Sequence, residues 1–139
     1  MKKDFEGGFS LIELLIVVVI VGIIASVAIP AFQKGMRAAE NGATFSTLRI
    51  INSTQVSFFA QHNRFGRLTE LSPIVGNGLG TVVGDRIVRR NHIFEMTPLV
   101  PTDTELKDQF KITATRAFGD SLLQRYEITE NGRIYQIFP

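Results

Sequence analysis

The 139-residue chain contains no cysteine. A disulfide scaffold, a thiolate metal site and a cysteine nucleophile are therefore excluded. Histidine is scarce as well. His62 and His92 stand apart with no H-E-x-x-H spacing, and they read as a helix end and a loop position rather than as zinc ligands. No serine lies in a nucleophile elbow or in a His/Asp context, so hydrolysis is not indicated. The glycines from Gly76 to Gly84 lack the Lys-Ser/Thr ending of a phosphate loop and read as a flexible connection. Charge of one sign is also missing: 15 Lys and Arg oppose 13 Asp and Glu, scattered along the chain, and no polyanionic partner is demanded. There is no internal repeat or low-complexity tract. The length allows one domain with an appendage and excludes a large multidomain enzyme. Neither catalysis nor a cofactor is expected.

What the chain has in excess is apolar surface, and it lies at one end. From Phe9 to Phe32, 19 of 24 residues are hydrophobic, whereas the remainder has ordinary globular composition. The 22 residues from Phe9 to Pro30 would measure roughly 33 Å as a helix, the hydrocarbon thickness of a bilayer. Their Val and Ile content would also suit a buried strand, but strands seldom exceed about ten residues, so length decides for helix. Past Pro30 the helical pattern continues to about His62. On a helical wheel Phe32, Met36, Ala39, Ala43, Ile50, Ile51 and Phe58 share one arc, with Phe45, Leu48, Val56 and Phe59 opposite. A helix apolar on two faces needs two packing partners.

Beyond Asn63 the segments are short and punctuated by glycine and proline. Strands are expected at 93–97, 110–117, 123–129 and 133–138, with Phe110, Ile112 and Ala114 buried and Lys111, Thr113 and Thr115 alternating with them. Asn131-Gly132 between the last two supplies the positive φ angles of a tight hairpin turn. The expected class is α+β: a long N-terminal helix, membrane-spanning in its first half, packed through its second half on a small antiparallel sheet.

The segment Gly8-Phe9-Ser10-Leu11-Ile12-Glu13-Leu14 resembles the cleavage and methylation site of type IV pilins and pseudopilins. The resemblance implies removal of a leader, residues 1–8, by cleavage between Gly8 and Phe9, followed by N-methylation of Phe9. It places the family's glutamate at Glu13, and its commonly found glycine and proline at Gly22 and Pro30, where both loosen the helix. Residues 9–30 would then form the membrane and filament-core helix, 31–62 its amphipathic continuation and 63–139 the head. Leu48 to Asn52, Phe58-Phe59 and Phe65 to Leu71 look like the end of a pilin helix and the turn that follows. The chain lacks the C-terminal cysteine pair of many pilins, and Asp4 and Glu6 make its leader less basic than is usual.

A physical argument for Glu13 stands beside the resemblance. A carboxylate deep in a membrane costs about 2.5–3.5 kcal/mol on insertion scales, so it is expected to have a partner or a function. Cleavage would expose an α-amino group on Phe9, positive near neutral pH, one helical turn away. Glu13 is therefore expected to set axial register during assembly. Competing readings of the same segment are a signal peptide cut near Ser26-Val27-Ala28, a permanent single-pass anchor for a periplasmic binding module, and a buried soluble helix.

The resemblance implies a structural subunit of an extracellular filament, with a secretion-system pseudopilin or minor pilin as the alternative. Its partners would be copies of itself, a prepilin peptidase and methylase, an assembly ATPase and an inner-membrane platform. The precursor would reside in the inner membrane, and the product in a surface pilus or a periplasm-spanning pseudopilus. Three further clusters stand out in the sequence. Asp103, Glu105 and Asp108 offer oxygen ligands for calcium, against a solvated acidic loop or helix start. Arg86, Arg89 and Arg90 form the densest basic patch, but without interleaved aromatics they read as a solvent-facing edge strand rather than a nucleic-acid site. Phe32, Phe45 and Phe58 do not share a face, so packing explains them better than electron transfer.

Overall fold

The computed structural model describes residues 8–76, 78–117 and 124–137. Residues 1–7 of the expected leader, Asn77, Leu123 and Phe138 lie outside the described residues. The order is α1 (Leu11–His62), α2 (Leu68–Ile74), β1 (Thr81–Val83), β2 (Arg86–Arg89), β3 (His92–Met96), a 3-10 turn (Glu105–Lys107), β4 (Lys111–Arg116), β5 (Arg125–Thr129) and β6 (Ile134–Ile137). The chain divides into two compact units, Met1–Ala39 and Glu40–Pro139.

In the first unit α1 carries the apolar run, and its side chains from Leu11 to Ile29 are exposed almost throughout. By length and composition the helix can cross a membrane. Pro30 lies inside it. Proline has no N–H to give the carbonyl four residues back, that of Ser26. One turn earlier the Ser26 hydroxyl donates to the Ile23 carbonyl at 2.7 Å.

In the second unit the six strands form one antiparallel meander in sequential order. Consecutive strands need only short connections, and β1 to β2 turns at Gly84-Asp85 with Gly84 at φ +61°. The helix-facing positions of the strands, Ile87, Phe94, Met96, Ile112, Ala114, Tyr126 and Ile128, form the core with Leu48, Ile51 and Phe58 of α1 and Leu68 and Leu71 of α2. Phe110, Ile112 and Ala114 are buried as the alternation predicts, and Thr113 is buried too.

Several expectations are corrected. The stretch from Gly76 to Gly84 is not simply a connection, because β1 begins inside it. The strand carrying Arg86 and Arg89 is not an edge: β1 covers one side and β3 the other. His92 opens β3 and is buried instead of lying in a loop. Leu48 shares the buried stripe of α1 with Ile51 and Phe58 rather than facing away, because the stripe runs through Thr44, Thr47, Leu48, Ile51, Thr54, Gln55 and Phe58. Threonines and a glutamine occupy it, so hydrophobicity alone misplaces its centre. In the β5–β6 hairpin the positive φ belongs to Gly132 alone, at +72°. Asn131 acts through its side chain, whose Oδ1 accepts the Arg133 N–H at 2.8 Å.

Candidate functional site

The N-terminal segment starts outside the helix. Gly8, Phe9 and Ser10 precede α1 without helical structure, and Phe9 is 91% exposed. Helix growth begins when the Leu14 N–H bonds to the Ser10 carbonyl at 3.2 Å. Glu13 turns back to accept the Ser10 N–H at Oε2, 2.9 Å away. A glutamate three residues after the residue before a helix satisfies one of the orphan N–H groups of the first turn, and its charge lies at the positive end of the helix dipole. The Ser-x-x-Glu spacing is a sequence signature of a helix start that sequence reasoning passed over, and Ser10 takes part here through its backbone N–H and carbonyl. Gly22 lies mid-helix with open space where a Cβ would stand, so a side chain there would meet no neighbour within the chain.

The same glutamate device recurs twice in the second unit. Glu70 accepts the Arg67 N–H at 2.8 Å ahead of α2. Glu105 accepts both the N–H and the hydroxyl of Thr102, at 2.7 and 2.8 Å, ahead of the 3-10 turn. These bonds hold the Glu105 carboxyl below its ordinary range. Asp103 meets Arg67 Nη2 at 2.7 Å and faces Arg64 Nε at 3.6 Å. Asp103 and Glu105, two of the three candidate calcium ligands, are thus engaged by protein donors, and among the described residues no three His, Cys, Asp or Glu side chains gather as a metal group. The helix-start reading of that cluster is the one that fits Glu105.

The arginine patch is likewise dispersed. Arg86 Nε pairs with Glu95 on β3 at 2.9 Å. Arg89 Nη1 donates to Thr47 Oγ1 of α1 at 2.8 Å. His62 closes α1: its ring stacks on Phe58 with centroids 4.0 Å apart, and its Nδ1 lies 3.1 Å from the Phe58 carbonyl. Phe45 packs against Tyr126 with centroids 4.7 Å apart and Phe58 belongs to the core, as the packing reading requires of them, whereas Phe32 is exposed and packing within the chain does not account for it.

The chain matches the prokaryotic N-terminal methylation motif over residues 5–29. It is similar to the type IV major pilin protein PilA of Myxococcus xanthus, 32% identical over 120 residues, covering 81% of this chain and 54% of that one. It is similar to the competence protein ComGC of Halalkalibacterium halodurans, 30% identical over 66 residues, 46% of this chain and 65% of the relative. The type IV major fimbrial protein FimA of Dichelobacter nodosus is 58% identical over 32 residues, 23% of this chain and 20% of its own. The chain spans about half the length of the first of these relatives.

Proposed function

The chain belongs to the type IV pilin family, and on that premise we propose that it is a structural subunit of an extracellular pilus-like filament that polymerises through its N-terminal helix. The observation that carries this reading is the exposed, non-helical Gly8-Phe9-Ser10 segment set directly before an apolar helix whose first turn holds Glu13. A backbone free of helical structure suits a peptidase cutting after Gly8. The freed Phe9 amine is then a substrate for methylation and a counter-charge for a carboxylate. Before assembly, residues 9–30 sit in the inner membrane, and assembly moves them into the filament core. That transfer exchanges one apolar environment for another, so packing and the Glu13 carboxylate supply specificity while an assembly ATPase, acting through a membrane platform, does the work. The subunit itself is read as structural, without catalysis.

Mass spectrometry of the mature protein tests this directly. An N-terminal methylated Phe9 is expected, and an intact Met1 or a start at Ile29 would overturn it. The likeness to a competence protein favours a second reading, a subunit of a shorter pseudopilus. Immunogold microscopy separates the two: long surface filaments decorated along their length support the pilus, and their absence from cells making methylated protein supports the pseudopilus.

A further inference from the structure

His92 is only 1% exposed, and its Nε2 has no hydrogen-bond partner among the described residues. Its register partner on β4 is Arg116, whose guanidinium is gripped by the carboxylate of Glu40 on α1. Beside His92 lies a cavity of about 10 Å³, lined also by Glu40, Thr44 and Thr47 of α1 and by Arg89 and Arg90. A space of that size admits a single water at most. The charged groups gathered around the imidazole are therefore Glu40 from α1, Arg89 from β2, Arg90 from the turn after it, and Arg116 from β4. The Tyr126 phenol on β5 is influenced by the same Arg116. Among the described residues, three guanidinium groups face one carboxylate.

We propose that this cluster is an acid-responsive latch: with His92 uncharged, Glu40 and Arg116 pin the Glu40–Thr47 stretch of α1 to the start of β3 and the end of β4, and proton uptake by His92 opens that seam. A protonated imidazole would be a fourth cation in a space with no room to hydrate it, competing with Arg116 for the one carboxylate. Opening the seam relieves both the desolvation and the competition. Burial, then the neighbouring Arg116, hold His92 below its ordinary range, with Glu40 opposing them. A group whose pKa is lowered on folding lends stability that is complete above its unfolded pKa of about 6.5 and is lost as pH falls below that value. The latch is a property of the second unit, whether or not the chain polymerises.

Hydrogen exchange on the full-length chain in detergent micelles, corrected for the intrinsic effect of pH, tests it. Between pH 7 and pH 5 the Thr44 and Thr47 amides, and the Ala117 N–H that bonds to the Asn91 carbonyl, should lose protection, about tenfold for each pK unit by which the fold lowers His92. His92→Gln should remove the acid effect, His62→Gln should leave it intact, and Glu40→Gln, which removes the pin itself, should lower the protection of the seam already at pH 7. Unchanged wild-type protection across this range, or an acid effect that survives in His92→Gln, would overturn the latch. Should His92→Gln fail to fold, the wild-type ring decides by NMR: titration below the ordinary histidine value in step with the seam amides supports the latch, and titration at or above that value refutes it.

Discussion

The side chain of Gln55 clasps the backbone of Gly66 at two points: Nε2 donates to the Gly66 carbonyl at 2.8 Å, and Oε1 accepts the Gly66 N–H at 2.7 Å. Gln55 has no exposed surface and stands near the C-terminal end of the buried stripe of α1, where an apolar residue would be ordinary. Its amide closes the turn by which the chain leaves α1 and enters α2. Every polar atom of that side chain's amide that can serve the buried backbone is in use, so its polarity is matched.

Replacing Gln55 with leucine should therefore destabilise the head by about 2–4 kcal/mol, because a buried donor and a buried acceptor would each lose a partner at roughly 1–3 kcal/mol. Urea unfolding of the full-length chain in micelles measures it. A loss below about 0.5 kcal/mol would mean that water reaches Gly66.

Gly66 itself has little room. A Cβ there would stand 2.7 Å from Leu71 Cδ2 and 3.2 Å from the Phe58 ring. Gly66→Ala should cost about 1–3 kcal/mol through overpacking. In a Leu71→Ala background, which vacates the space, the increment should shrink, and a double-mutant cycle reads the difference.

Glu70 receives both forks of Arg64, at 2.6 and 2.9 Å, as well as the Arg67 amide. The Arg64 hydrogen bond, joined by the Arg67 amide and the nearby guanidinium charges, draws its carboxyl down to about 2. Its contribution to stability is present above the ordinary glutamate value of 4.5 and is lost as pH falls from there through about 2. Thermal melts across that interval should show a fall that Glu70→Gln largely abolishes. The window lies below the one in which His92 acts, so the two effects separate on the pH axis.

Glu13→Val should leave a folded, membrane-inserted subunit that assembles poorly. Losing a carboxylate from the first turn of a helix costs only about 0.3–1 kcal/mol, too little to unfold α1. A large loss of filament yield would accordingly report on subunit register rather than on helix stability. Normal yield with regular register by electron microscopy would contradict the role given to Glu13.

The readable parts of this fold were those whose signal is local and long. The apolar periodicity leading to α1 extends over many turns, and its end at His62 coincides with the change to glycine punctuation. The β5–β6 hairpin carries its own turn residues, and β4 shows its alternation. By contrast, β1 and β2 have three and four residues, and α2 has seven. Segments that short have too few positions to establish a period, and they persist because neighbours cover them. In the candidate site, Glu13 was visible as the one charge in an apolar run, while its bond to Ser10 needed attention to the Ser-x-x-Glu spacing.

By itself the sequence determined that residues 9–30 require an apolar environment, that a carboxylate interrupts them at a defined place, and that a helix followed by an antiparallel sheet accounts for the rest. These follow from composition and period, which act over a few turns of chain. Only the tertiary structure decided that Glu40 would meet Arg116 across 76 residues, that Gln55 would brace Gly66, and that His92 would be enclosed among arginines. Such pairings depend on how the sheet closes against α1, and polar side chains on a buried stripe look exposed until their distant partners are in place.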